Sequence, residues 1–223
     1  MAMVMPREPV KRRPLLRGWS HAVAAVVAIA FTVMLATRCA TDPALLATML
    51  LYGASTVALF GFSAVYHIVT WKPATRDFLG HFDYGNIFVM IASTATAIGA
   101  NVLDGWQRVV LLVLVWGLSL VGIGTSLLSI PLPREARVGL YILTGLAGAI
   151  ATPGLVAVLP LTAIGLMIAG GALYAAGGIV YALRSPDPLP RVFGYHEIFH
   201  LLVIAGAASF ATVIWIWVVP FAG

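Results

Sequence analysis

His196 and His200 stand four residues apart in Gly194-Tyr195-His196-Glu197-Ile198-Phe199-His200. On an α-helix that spacing puts both imidazoles on one face, one turn apart, so two rings can aim at a single ion. His67 closes an earlier apolar stretch, and Asp83 opens the next. Catalytic zinc usually takes three protein ligands, with nitrogens at about 2.0–2.1 Å, and keeps one position open for water. His67, His196 and His200 would supply those three. Neutral imidazoles leave the ion's charge intact, so water bound there would ionise near neutral pH. Asp83 would hold that water or take its proton, and Ser63, one helical turn from His67, would donate to a developing oxyanion. The chemistry expected of this set is metal-assisted hydrolysis, with Zn2+ as the cofactor.

The elements that must position these groups are membrane helices. The chain of 223 residues is 61% hydrophobic and 9% charged, where soluble domains run near 45–50% and about 25%. A soluble globule could not hide that much apolar surface, so the fold class expected is an all-α, polytopic membrane bundle. Breakers divide the chain into seven apolar runs, approximately Trp19–Thr37, Ala44–Val69, Phe82–Ala100, Val109–Ile130, Val138–Ala157, Leu161–Leu183 and His196–Val219. Seven spans of about 20 residues leave room for a basic arm over 1–18 and one transmembrane domain over 19–219, but for no second folded domain. Pro153, Gly154 and Pro160 signal the turn between the fifth and sixth spans. The glycines of Ala169-Gly170-Gly171 and Ala176-Gly177-Gly178 fit close helix packing rather than phosphate binding. The run from Trp19 to Ala36 exceeds the roughly 7–15 residues of a signal-peptide core, and no A-x-A site follows it; it reads as a retained span. Cys39 is the single cysteine, which excludes an intramolecular disulfide and a cysteine-rich cluster.

Charge placement sets the expected orientation. The net charge of +5 does not indicate nucleic acid, because the cations flank spans where anionic lipid attracts them. Arg7, Lys11, Arg12, Arg13, Arg17, Lys72, Arg76, Arg134, Arg137, Arg184 and Arg191 fall on one side, against Arg38 and Arg108 on the other. The positive-inside rule then puts the N-terminus in the cytoplasm, the C-terminus outside and the polar set in the inner half of the bilayer. His21 and His81 read as interfacial side chains with snorkelling tips, and Tyr84 and Asn86 receive no role. Ionisable groups in membrane spans are costly and mark function.

His196-Glu197-Ile198-Phe199-His200 also matches H-E-x-x-H, in which the glutamate of a metalloprotease acts as base. Intramembrane proteases of that type need a further acidic ligand on a later helix, and no Asp or Glu follows Glu197. The partners lie upstream instead, which leaves Glu197 as a supporting group. The whole pattern resembles the hemolysin III branch of the progestin and adipoQ receptor (PAQR) superfamily, over roughly residues 15–219. The resemblance is carried by Ser63-Ala64-Val65-Tyr66-His67, by Phe82-Asp83-Tyr84 with Ile87, and by Phe193 through His200 with Ala205-Gly206-Ala207. It implies a seven-helix bundle with the N-terminus inside, zinc on the three histidines, and a water assisted by Asp and Ser. Related eukaryotic receptors are linked to ceramide hydrolysis, and bacterial members to haemolysis and membrane-fluidity homeostasis. The chain departs from the family pattern at Ser93-Thr94-Ala95-Thr96, which lacks a proline, and at Phe210, where many members carry histidine.

Three functions remain open on these residues. One is a zinc-dependent hydrolase of lipid amide or ester bonds, fed sideways from the bilayer. Another is a non-catalytic membrane-state sensor with structural zinc. The last is a pore-forming haemolysin, which would need polar residues along whole spans. Membrane lipids are the expected partners in each case.

Overall fold

Within hydrocarbon, every backbone N–H and C=O must be satisfied inside its own segment, so apolar runs of this length become helices. The computed structural model describes residues 13–222, and seven helices in it are long and apolar enough to cross a membrane. The first four are α1 (Trp19–Arg38), α2 (Pro43–Ile68), α3 (Pro73–Val102) and α4 (Gly105–Leu127). The fifth span combines α5 (Arg134–Ala147), a 3-10 turn (Gly148–Ala151) and α6 (Thr152–Val158). The sixth is α7 (Leu161–Leu183), and the seventh joins α8 (Tyr195–Val213), a π-helical turn (Ile214–Val218) and α9 (Val219–Ala222). Among the described residues the only β-feature is an isolated bridge between Leu189 and Phe193. This is the all-α, seven-helix membrane bundle expected. The expected basic residues Arg7, Lys11 and Arg12 lie outside the described residues.

Local chemistry explains where the helices start. The Asp42 carboxylate accepts from the backbone N–H groups of Ala44 and Leu45, at 2.9 and 3.0 Å, while Pro43 occupies the first turn of α2, where its missing N–H is no loss. Pro73 plays the same part in α3. That helix begins nine residues before the Phe82 expected, because the turns carrying Arg76, Asp77 and His81 continue the helix beyond the apolar run. Asp83 therefore sits about 15 Å along its helix rather than at its mouth. The fifth span also differs from expectation. Pro153 lies inside it, just past the 3-10 turn, and the turn to α7 falls at Leu159–Pro160. Pro220 accounts for the π-helical turn, since a proline ring displaces the carbonyl one turn earlier.

Large apolar side chains cover the outside. Val26 and Val27 of α1, Val113 and Leu120 of α4, and Leu161 and Ile168 of α7 are all exposed, as a lipid-facing surface requires. Polar side chains turn inward: Ser55 bonds Ser93 across α2 and α3, and the Ser119 hydroxyl donates to the Phe88 carbonyl at 3.1 Å. Small residues permit close approach. A Cβ at Gly122 would overlap the Phe88 ring, so that contact between α3 and α4 requires glycine. Sequential helices α1 to α4 pack in series, α7 lies against α8, and α8 returns to α1. The last span thereby closes against the first, which sets α8 beside the ends of α2 and α3.

Candidate metal centre

His67 comes from the last turn of α2, and His196 and His200 from the first two turns of α8. All three are buried, at 9%, 8% and 1% exposure. One ligand atom from each lies within 4.8 Å of the others, an arrangement that could hold a metal ion. The Nε2 atoms of His67 and His196 face each other at 3.1 Å, close to the roughly 3.3 Å separating two nitrogens on a tetrahedral zinc. The donor set fits such an ion: three buried imidazoles converge, and Nδ1 of His200 has no hydrogen-bond partner among the described residues. Asp83 approaches from α3, its Oδ2 3.6 Å from Nε2 of His67. Ser63 is buried one turn from His67. Thr56 bonds back to the Tyr52 carbonyl, whereas the described hydrogen bonds leave the Ser63 hydroxyl uncommitted.

Two further groups reach this place from the N-terminal side. The Arg17 guanidinium donates to Oε1 of Glu197, and the other oxygen of that carboxylate accepts from the Gly194 N–H at 2.7 Å. Glu197 thus caps the start of α8 and binds it to the N-terminal strap. The strap itself is pinned by backbone bonds from Leu15 to Arg191 (3.0 Å) and from Leu16 to Val192 (3.1 Å). Arg13 donates to the carbonyls of His67 (3.4 Å) and Val69 (3.0 Å). Gly18 has a positive φ of 86°, and a Cβ there would press on His67. His21 then enters the bundle: it is buried, with its ring stacked on that of His200. The snorkelling expected of His21 does not occur. His81 stays outside the trio, within hydrogen-bond distance of the Ser129 hydroxyl at 3.2 Å and lining a cavity of about 280 Å3 with Tyr84 and Arg137.

Sequence reasoning missed Arg17 and His21 as neighbours of the centre. Arg17 lies outside α1, before the left-handed Gly18, so its four-residue spacing from His21 does not mark a shared helix face. A buried carboxylate stripped of its cation is expensive, about 3–5 kcal/mol in comparable pairs. Arg17→Ala is therefore expected to lower the melting temperature in detergent, and adding Glu197→Gln should restore a good part of it. Equal melting of Arg17→Ala and wild type would show that the pair does not support the fold.

The family model described as haemolysin-III related matches residues 10–211. The chain is similar to the hemolysin-3 homolog of Bacillus subtilis (strain 168), 31% identical over 173 residues, which covers 77% of this chain and 78% of that protein. It is also similar to hemolysin-3 of Bacillus cereus, 28% identical over 206 residues, 91% of this chain and 90% of that one. The seven spanning helices together with this match make the protein a multi-pass component of the cell membrane. With the family model matched over residues 10–211 and both relatives covering more than three-quarters of the chain, the protein belongs to the haemolysin-III family, within the progestin and adipoQ receptor superfamily.

Proposed function

We propose that the protein is a zinc-dependent hydrolase of lipid amide or ester bonds, with its site in the inner-leaflet half of the bundle. The observation that carries this reading is the approach of Asp83 to the histidine trio, 3.6 Å from Nε2 of His67. An acidic group beside three converging nitrogens is what a hydrolytic centre needs, whereas a purely structural ion needs only the ligands. When bound, zinc would polarise the scissile carbonyl and make water a nucleophile at neutral pH. His67, His196 and His200 would hold the ion. Asp83 takes the proton of the attacking water as the new carbon–oxygen bond forms, and returns it to the departing nitrogen or oxygen as the old bond breaks. The products are a fatty acid and an amine or alcohol. Ser63 steadies the oxyanion between those steps. Substrate arrives through the lipid-facing wall, since the loops between the spans are short.

Metal analysis of the purified chain, combined with fatty-acid release from ceramide-type amides and from lipid esters, tests the reading. One zinc per chain and release that stops on chelation support it. Full zinc with no release from any lipid of a broad panel favours a structural ion in a membrane-state sensor.

The orientation belongs to the same proposal. Among the described cations, Arg13, Arg17, Lys72, Arg76, Arg134, Arg137, Arg184 and Arg191 flank the same ends of the spans, against Arg38 and Arg108 at the opposite ends. A reporter fused after Gly223, a position outside the described residues, should report an exterior location. A cytoplasmic signal there would reverse the topology.

A further inference from the structure

His21 is the one histidine beside the candidate centre that the proposed chemistry does not use. Its side chain is 3% exposed. The ring lies face to face with that of His200, with centroids 3.7 Å apart and planes within 6°, and its centroid lies 5.0 Å from that of the Phe60 ring, tilted by 56°. Neither ring nitrogen has a hydrogen-bond partner among the described residues. A buried donor and acceptor left unpaired forfeit their hydration with no return, so each such group demands an explanation. Packing does not supply one. A phenylalanine would stack on His200 and Phe60 equally well and would carry no polar atom to satisfy.

The slot is also fixed. Gly18 presses α1 against His67, Arg17 ties the same segment to Glu197, and α1 packs along both α2 and α8. A ring seated on the face of His200 lies one aromatic layer from the nitrogens gathered around the metal position. A neutral imidazole offers one donor and one acceptor, the complement of a water molecule or of a substrate that exchanges a proton.

We propose that His21 is a ligand-contacting residue of the metal centre. Its N–H nitrogen donates a hydrogen bond to the oxygen that occupies the open position beside the ion: water at rest, and the carbonyl oxygen of a lipid amide or ester during turnover. This rests on the metal-centre reading above and adds a fourth histidine to it as a contact to the occupant, not to the ion.

The test uses the full-length chain in detergent, loaded with cobalt(II) in place of zinc, and follows visible absorption while azide is added. His21→Phe keeps the stacked ring and removes both nitrogens. It should bind cobalt one-to-one and melt as wild type does, yet show a shifted absorption band and an azide affinity changed by about tenfold, the worth of one hydrogen bond. His21→Asn, which retains a donor and an acceptor, should recover part of that affinity. A spectrum and azide affinity unchanged in His21→Phe would reduce His21 to packing and overturn the proposal alone. Loss of cobalt from His21→Phe would overturn it by making His21 a holder of the ion. Absence of cobalt from the wild type would overturn the metal centre and the role of His21 with it.

Discussion

His67→Ala, His196→Ala and His200→Ala are each expected to abolish zinc binding and, with it, the rise in melting temperature that added zinc would give the wild type. The three nitrogens converge from two helices far apart in the chain, so removing one leaves a two-ligand site. Removing even an outer partner of a metal-binding histidine usually lowers affinity about 10–100-fold, and loss of a ligand should exceed that. Because metal binds the folded state and not the unfolded one, an ion present at 100 times its dissociation constant adds about 2.7 kcal/mol. The melting temperature of each variant should therefore no longer rise when zinc is added. His81→Ala is the matched control: that ring contacts Ser129 and lies outside the trio, so zinc content and melting should stay at wild-type values. Full zinc in all three ligand variants would mean that the ion sits elsewhere.

Asp83→Asn should separate chemistry from metal binding. The substitution keeps the size of the side chain and most of its hydrogen bonds, and it removes the base. Zinc should remain near one per chain, because the histidines already provide the usual complement of a catalytic ion. Hydrolysis of a ceramide-type amide should fall by about 10²–10⁴-fold, the ordinary worth of a general base. Both quantities are to be measured on one preparation. Loss of zinc in Asp83→Asn would place the carboxylate on the ion itself, which its 3.6 Å approach to Nε2 of His67 makes a concrete alternative.

Much of this architecture was legible from the residues. The seven runs were visible because a membrane span must be apolar over its full length, and the His196/His200 pair because helical spacing converts directly into a shared face. Helix bounds were less legible where polarity and helicity part company. α3 extends back to Pro73 through Arg76, Asp77 and His81, since a helix persists outside the apolar core as long as its backbone bonds are met. His21 was misread for a different reason. Its depth near a span end suggests a snorkelling tip, and nothing in the local sequence reveals that α1 rotates the ring inward onto His200. Arg17 likewise looked like one lipid-facing cation among several, whereas its partner lies 180 residues away. Pairings of that length are set by how the bundle closes and leave no local trace.

That closure has a consequence for how the protein is made. His67 and His196 are 129 residues apart, so at about 5–20 residues per second the ribosome delivers the second roughly 6–26 s after the first. Throughout that interval the half-built bundle holds His67 and Asp83 within the bilayer region without α8 to face them. The Arg17 guanidinium waits as well, because the carboxylate it finally meets is synthesised with the same last span. Insertion of the seventh span thus completes the nitrogen trio, neutralises the waiting arginine and closes α8 against α1 in a single event. On the proposed metal reading, capture of the ion would record finished assembly: a chain stalled before Tyr195 has six of the seven spans but only one of the three histidines.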